Sequence, residues 1–191
     1  MKAKMHPAAR RALAVHIRRS GAVHSGGQHT LSAGAVSDTF VDGKLAVVHP
    51  DFLRVVARLM DEVMAREATE ARAVGGLVLG ACPFVMAVSL HAQLPWSLVR
   101  KSDQVGPGDQ QIEGWQPLEG APVVMIEDVA TTGASLLRAI RVVQQAGAQV
   151  PLAISLVDRG AGAGDLLAED GVQYLTLVGH DDLGIAPIRV A

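Results

Sequence analysis

The sequence predicts an α/β fold in which a mostly parallel central sheet is covered by helices on both faces. Two observations support this fold class. Short apolar runs that suit buried strands alternate with stretches whose apolar residues recur every three or four positions, as in helices. In addition, 49% of the 191 residues are apolar but only 3% are aromatic, so aliphatic side chains form the core. We expect one domain, with residues 1–45 as a helix and small hood and residues 46–191 as the core.

The N-terminal region predicts a helix followed by a hairpin. Residues 1–20 are basic and lack a continuous apolar centre, which favours an amphipathic surface helix over a signal peptide. Residues 21–27 are rich in glycine and predict a turn. Residues 28–44 predict two short strands around Ser32-Ala33-Gly34.

The predicted core begins with a helix at Pro50, whose apolar residues form one broad stripe. A strand over 73–79 ends in a tight turn at Gly80 and leads into a helix over 83–91. The alternation continues with strands over 95–99, 123–126, 150–157 and 174–178, and helices over 135–145 and 166–169. Between them, residues 102–111 contain one apolar residue in ten and predict a mobile surface loop.

Composition excludes several classes of function. The 17 basic and 19 acidic residues give a formal charge of −2, which provides no general field for nucleic acid or an anionic membrane. No apolar run approaches the roughly 20 residues that span a bilayer. Cys82 is the single cysteine, so an internal disulfide and a multi-cysteine zinc site are excluded, and the histidines lack metal-ligand spacing. We expect a cytoplasmic protein that binds no nucleic acid, no membrane and no metal directly.

One segment carries the clearest chemical signal, and it follows the predicted strand over 123–126. Two adjacent carboxylates can accept hydrogen bonds from vicinal hydroxyls, such as those of ribose, and can favour a cationic carbon. The following turn brings backbone N–H groups and three hydroxyls together at the start of a helix, which suits a phosphate dianion. A helix cap alone needs one such residue. The segment therefore predicts a site for a phosphorylated ribose, formed by Glu127, Asp128, Val129, Ala130, Thr131, Thr132, Gly133, Ala134 and Ser135.

This segment resembles the ribose-phosphate motif of the type I phosphoribosyltransferases, which is an apolar strand, two acids and a Thr-Thr-Gly-x-Ser turn. Within that family the chain is most similar to the orotate phosphoribosyltransferases. Further motifs with the family's order and spacing lie at 30–34 with 40–42, 75–80 with Pro83, 99–101 with 112–114, and 157–159. The resemblance covers most of the chain and implies the type I phosphoribosyltransferase fold.

The resemblance also implies a reaction. Phosphoribosyl pyrophosphate (PRPP) and orotate would give orotidine 5'-monophosphate and pyrophosphate in pyrimidine biosynthesis, with Mg²⁺ bound mainly through PRPP. The segment from Glu127 to Ser135 would hold the ribose 5-phosphate, and Asp128 would stabilise positive charge at the anomeric carbon. Thr131 would also contact the base.

For the pyrophosphate, the resemblance implies backbone N–H donors at Gly76, Leu79 and Gly80. Arg100 and Lys101 would counter its charge across the interface of a homodimer with shared active sites. From the residues alone, Arg100 and Lys101 are equally well explained as a charged strand end beside a loop.

For the base, the resemblance implies that Arg159 binds the orotate carboxylate through its planar fork, with Phe40 nearby. Without the resemblance, Arg159 would be interpreted as a surface residue after a strand. The implied catalytic residues are Asp128, Glu127, Arg100 and Lys101.

The chain departs from the family in the predicted loop. The family loop reads Arg-Lys-x-x-Lys-x-His-Gly, but Gln104 stands in place of the lysine and Gly106 in place of the histidine. Asp103 and Asp109 make the loop anionic, so it would repel pyrophosphate. The segment Ser37-Asp38-Thr39-Phe40 also lacks the paired aromatic residues with which the family often covers the base, which leaves Phe40 alone.

Three functions are consistent with this sequence. The first is an orotate phosphoribosyltransferase with a degenerate catalytic loop. The second is a phosphoribosyltransferase for another base. The third is a non-catalytic regulatory paralogue that binds PRPP or a nucleotide through the retained turn.

Overall fold

A computed structural model describes residues 1–30, 36–101 and 110–188. Within these ranges the elements are, in chain order, α1 (Pro7–Arg19), β1 (Val23–Thr30), β2 (Val36–Val41), α2 (Gly43–Ala46), α3 (Pro50–Glu67), β3 (Ala73–Leu77), α4 (Cys82–Ala92), β4 (Trp96–Val99), β5 (Ile112–Gly114), β6 (Pro122–Ala130), α5 (Ala134–Gln145), β7 (Gln149–Asp158), α6 (Ala163–Glu169) and β8 (Gln173–Gly179).

The central sheet has the strand order β5-β4-β3-β6-β7-β8. β5 runs antiparallel to β4 at one edge, whereas the other pairings are parallel. The predicted mostly parallel sheet is confirmed. Because parallel strands end on the same side, the carboxyl ends of β3, β4, β6 and β7 meet at one edge of the sheet, where open α/β sheets bind ligands.

Two apolar layers cover the sheet, as the sequence predicts. On one face, α1, α3 and α4 pack against alternate residues of β6 and β7, including Val124, Ile126 and Leu152. On the other face, α5 and α6 cover the residues between them, including Val123 and Met125. This alternation follows from the two-residue period of a strand, and it explains why buried parallel strands are continuously apolar.

The N-terminal hairpin differs from the prediction at its first strand. β1 begins at Val23, inside the stretch 21–27 that was expected to be a turn. Gly26 and Gly27 both have φ of +89°, and the register with β2 shifts between Ser25 and His29. The glycines therefore form an irregularity within the strand pair and do not end it. The predicted turn residues Ser32-Ala33-Gly34 lie outside the described residues.

Other predicted boundaries need correction as well. The strand expected over 123–126 is β6 (Pro122–Ala130), because its pairing with β7 continues to Ala130 and Asp158. Glu127 and Asp128 therefore lie in the strand and not after it. The helix expected over 166–169 begins at Ala163. Most of the predicted loop, residues 102–109, lies outside the described residues.

Within the described ranges, no helix combines the length and apolarity needed to cross a bilayer.

Candidate active site

A cavity of about 160 Å³ opens where β3 and β6 end. All nine residues from Glu127 to Ser135 line it, so the predicted ribose-phosphate segment faces one space. Residues 77–80 and Lys101 form the opposite wall. The cavity therefore combines an acidic pair, a polar turn and a cation at the carboxyl edge of the sheet.

The acidic pair consists of one buried and one half-buried carboxyl group. Glu127 is 8% exposed, and its Oε1 accepts a hydrogen bond from the backbone N–H of Asp128 at 3.3 Å. Burial raises the pKa of Glu127 well above its usual range, and the neighbouring Asp128 carboxyl adds to this through a hydrogen bond and charge repulsion. Lys101 partly offsets the increase. The Glu127 carboxyl therefore favours its protonated form more than a freely exposed glutamate does.

The glycine turn after β3 lies directly against Asp128. A Cβ atom on Gly80 would be 2.6 Å from Asp128 Oδ1, which is shorter than any ordinary contact. Glycine is therefore required for the turn and the carboxylate to approach. The peptide bond between Val78 and Leu79, in the same turn, is cis.

The turn that begins α5 also depends on a glycine. Gly133 has φ of +80°, and a Cβ atom there would be 2.8 Å from Leu167 Cδ1 of α6. Thr132 Oγ1 accepts from the backbone N–H of Ala134 at 3.4 Å. Ser135, in the first turn of the helix, lines the cavity. Backbone N–H groups and hydroxyls thus surround the cavity at the N-terminal end of α5, where anions are favoured.

A second cavity, of about 510 Å³, adjoins the first at Leu77, Lys101 and Ser135, which line both. Arg100 lines this second cavity and not the first, and its Nη1 lies 3.5 Å from Glu113 Oε1. Of the two predicted cations, only Lys101 therefore reaches the ribose-phosphate cavity. No sequence motif singles out Arg138, another residue lining the second cavity; its only signal is the helical spacing of three from Ser135.

Arg159 lies at the end of β7, but it is not the surface residue that the sequence alone suggested. It is 1% exposed, and its Nη1 donates to the carbonyl oxygen of Thr39 at 3.0 Å. Its Nε and Nη2 are buried and have no hydrogen-bond partner among the described residues. Burial lowers the pKa of Arg159 from its usual value, and nearby Asp38 opposes that shift. A buried guanidinium with unused donors is suited to binding an anionic ligand.

Phe40 follows Thr39 in β2 and lies between two histidine rings. The ring centroids of His24 and His29 are 6.0 Å and 5.9 Å from that of Phe40. Neither Phe40 nor Arg159 lines the ribose-phosphate cavity.

Gly76 also lies outside that cavity. It is buried within β3, and a Cβ atom there would be 2.6 Å from the Cβ of Ala81. The glycine therefore permits close packing beneath the turn, while Leu79 and Gly80 line the cavity.

The described residues contain no group of three or more His, Cys, Asp or Glu side chains positioned to hold a metal ion.

Comparison with known proteins identifies the family. The phosphoribosyl transferase domain family matches residues 47–177. The orotate phosphoribosyltransferase of Mycobacterium avium is 38% identical over 176 residues, which cover 91% of this chain and 95% of that protein. That of Methanosphaera stadtmanae is 37% identical over 152 residues, covering 80% of this chain and 84% of the relative.

Solved structures agree with the sequence comparison. The crystal structure of orotate phosphoribosyltransferase from Aeropyrum pernix has a TM-score of 0.77 and 33% identity, and the match covers 90% of this chain and 96% of that one. The Mycobacterium tuberculosis enzyme in complex with PRPP has a TM-score of 0.73 and 34% identity, and the match covers 93% of this chain and 99% of that one. Its fold, motifs and relatives together show that this chain belongs to the phosphoribosyltransferase family, among the orotate phosphoribosyltransferases.

Proposed function

We propose that this protein transfers phosphoribose from PRPP to orotate, giving orotidine 5'-monophosphate and pyrophosphate for pyrimidine biosynthesis in the cytoplasm. The observation that carries the proposal is Arg159. Its guanidinium is buried at the end of β7 beside the hood, and two of its donor nitrogens have no partner among the described residues. A carboxylated base supplies the negative charge and the acceptors that such a group lacks.

The ribose 5-phosphate occupies the cavity lined by Glu127 to Ser135. Backbone N–H groups and the hydroxyls of Thr131, Thr132 and Ser135 bind the phosphate at the start of α5. Glu127 and Asp128 bind the ribose hydroxyls, and Asp128 stabilises positive charge as the bond at the anomeric carbon breaks. Thr131 also contacts the base from the same turn.

Pyrophosphate lies against the turn that contains Leu79 and Gly80. Backbone N–H groups of this turn bind its oxygens, and Lys101 on the same cavity wall counters its charge. Arg100 lies in the adjoining cavity, which suits a role toward a second subunit. In this scheme Gly76 supports the turn by close packing.

The site fits a magnesium ion that arrives with PRPP. Mg²⁺ commonly binds one or two carboxylates together with substrate phosphates, and Asp128 lies directly against the pyrophosphate turn at Gly80. When bound, the ion would neutralise charge on the leaving pyrophosphate. Asp128 would orient the ribose hydroxyls on the same side.

The protein also forms a homodimer in this proposal. A largely apolar groove of about 510 Å³ lies between α3 and α4, lined by residues that include Leu53, Met86 and Leu90. Leu90, which lines this groove, is 82% exposed, and a contiguous exposed apolar surface is typical of a protein–protein contact. A second copy of the chain would cover this surface and bring the two active sites near each other.

A non-catalytic regulatory protein that binds PRPP or a nucleotide is the second candidate. Gln104 and Gly106 replace the family's loop lysine and histidine, although the ribose-phosphate segment is intact. Positioned groups of this kind each contribute on the order of 10² to 10⁴ in rate, so their loss affects turnover more than binding. Transfer to another base would be consistent with the same substitutions.

The deciding experiment mixes the protein with PRPP, orotate and Mg²⁺ and follows the loss of orotate absorbance, with Asp128→Asn as the control. Turnover by the native chain that disappears in the variant supports orotate transfer. If PRPP binds by calorimetry but no orotate is consumed, orotate transfer is wrong. Other bases would then be tested, and binding without turnover of any base would support the regulatory function.

A further inference from the structure

Arg138 contacts one side chain, Ser135, of the turn that begins α5 (Thr131 to Ser135, here called the phosphate turn). It lies three residues after Ser135 on α5, and its Nη2 donates to Ser135 Oγ at 2.9 Å. The family motif ends at the serine, so the motif does not account for this arginine. Arg138 itself is exposed, whereas Ser135 is half-buried and lines the ribose-phosphate cavity.

The direction of this hydrogen bond affects what the serine can do. A hydroxyl has one proton to donate and two lone pairs that accept. Because the guanidinium occupies a lone pair of Oγ, the serine proton is available to a different acceptor. Accepting from a cation also polarises the O–H bond and makes the hydroxyl a stronger donor. A phosphate oxygen in the cavity is the acceptor that this arrangement favours.

Arg138 also belongs to a wall of positive charge. Among the described residues that line the second cavity, every titratable side chain is basic: Arg100, Lys101, Arg138 and Arg141. Arg141 is held by Asp170 through hydrogen bonds of 2.8 Å and 2.9 Å. The hydrogen bond to Ser135 places Arg138 closest to the phosphate turn along this helix.

We propose that Arg138 is a positioning residue for the 5-phosphate: it orients the Ser135 hydroxyl toward the phosphate and adds positive charge at that end of the ligand. The inference rests on the proposed placement of ribose 5-phosphate in this cavity. It implies that affinity in this chain is concentrated on the 5-phosphate, since the loop lacks the lysine and histidine that would face pyrophosphate.

The test is a double-mutant cycle on binding of ribose 5-phosphate, measured by calorimetry. We compare the native chain with Arg138→Gln, Ser135→Ala and the double variant, and record thermal unfolding of each. Arg138→Gln should weaken binding about three- to tenfold, as expected for loss of a charge-assisted contact near the surface. In the Ser135→Ala background the same change should have at most about half that effect on the logarithm of affinity.

Arg141→Gln is the matched control, because Arg141 lies on the same helix and wall but pairs with Asp170. It should leave affinity for ribose 5-phosphate unchanged. Full additivity in the cycle, or an equal loss in Arg141→Gln, would overturn the positioning role and leave only a general charge effect. A loss that accompanies a lower unfolding temperature in Arg138→Gln but not in Arg141→Gln would also count against it.

The binding measurement separates this inference from the proposed enzyme activity. If the native chain binds ribose 5-phosphate and the cycle shows coupling, but orotate is not consumed, orotate transfer fails and the role of Arg138 stands. If the native chain does not bind ribose 5-phosphate at all, the role of Arg138 fails, whereas orotate transfer is still decided by the loss of orotate absorbance.

Discussion

Arg159 Nη1 donates to the backbone carbonyl of Thr39 at 3.0 Å and so joins the end of β7 to the hood across 120 residues of sequence. The contact fixes the guanidinium plane through one nitrogen. The two remaining donor positions, Nε and Nη2, are buried and have no partner among residues 1–30, 36–101 and 110–188. The geometry therefore holds the fork in place before a ligand arrives.

Replacing Arg159 with methionine should separate base binding from phosphate binding. Affinity for orotidine 5'-monophosphate should fall about 10- to 100-fold, because hydrogen bonds to a charged group are lost. Affinity for ribose 5-phosphate, which lacks the base, should change less than about twofold. Calorimetry with both ligands checks this, and equal losses for the two would mean that Arg159 acts through the stability of the hood.

Glu127→Gln should make the protein more stable at neutral and alkaline pH. The pKa of Glu127 is raised, mainly by burial, so the folded state retains a proton that the unfolded state releases. The stability that the Glu127 carboxyl contributes is therefore fully present below its ordinary pKa of about 4.5 and is lost as pH rises from there through the folded pKa. Glutamine cannot ionise, so the variant avoids that loss.

Thermal unfolding of the native chain and of Glu127→Gln between pH 4 and pH 8 tests this sign, with each kcal/mol worth about 2–4 °C for a chain of this size. The difference should widen as pH rises. The exposed Glu169→Gln variant serves as the control and should follow the native profile. A difference that narrows with rising pH would contradict the raised pKa.

Gly80→Ala should impair binding of PRPP without unfolding the chain. The new Cβ would lie 2.6 Å from Asp128 Oδ1, so the carboxylate or the turn must move. We expect affinity for PRPP with Mg²⁺ to fall about tenfold or more, because even a small displacement of a group that positions the ligand is costly. Gly164→Ala is the control, because the nearest heavy atom there is 3.6 Å away. Native affinity in Gly80→Ala would show that the close approach is not needed.

Restoring the family's loop residues should increase turnover. Gln104→Lys combined with Gly106→His supplies the two missing groups, and we expect the rate of orotate consumption to rise by about 10² or more. Steady-state kinetics of the double variant and each single variant provide the measurement. If the native chain is inactive and the double variant remains so, the loop substitutions are not what limits the chemistry.

Leu90→Glu should disrupt the proposed dimer. A charge among the residues that line the groove between α3 and α4 is incompatible with burial against a second subunit. Light scattering after gel filtration should show a monomer at concentrations where the native chain is a dimer. Leu118→Glu, at a leucine that is 64% exposed and lies outside the groove, should leave the dimer intact. A native chain that is monomeric, or a dimeric Leu90→Glu, would refute this surface.

The fold was predictable because its signals are local and repeated. The apolar strands, the stripe on α3 and the glycine turn after β3 each follow from short patterns in the sequence. The limits of β6 were not predictable in the same way, since polar residues Glu127 and Asp128 remain in the strand through pairing with β7. Likewise, Gly26 and Gly27 suggested a turn, whereas the pairing of Ser25 and His29 with β2 on either side of them keeps the segment in a strand.

In the candidate site, too, the local features could be predicted from the sequence and the tertiary contacts could not. The residues from Glu127 to Ser135 are contiguous in sequence, so it could be predicted that they line one cavity together. The burial of Arg159 could not, because it depends on a hairpin 120 residues away that covers the end of β7. The proximity of Gly80 to Asp128 is also a tertiary contact, formed only because β3 and β6 are neighbours.

The two tryptophans of this chain flank the segment 102–109 on either side. Trp96 begins β4 and Trp115 follows β5, and the backbone N–H of Trp115 donates to the carbonyl oxygen of Trp96 at 2.8 Å. All intrinsic indole fluorescence therefore originates from one place, at the amino end of β4 and not at the strand end that carries Arg100 and Lys101. The protein thus contains its own optical probe for unfolding of this edge of the sheet, and no attached dye is needed.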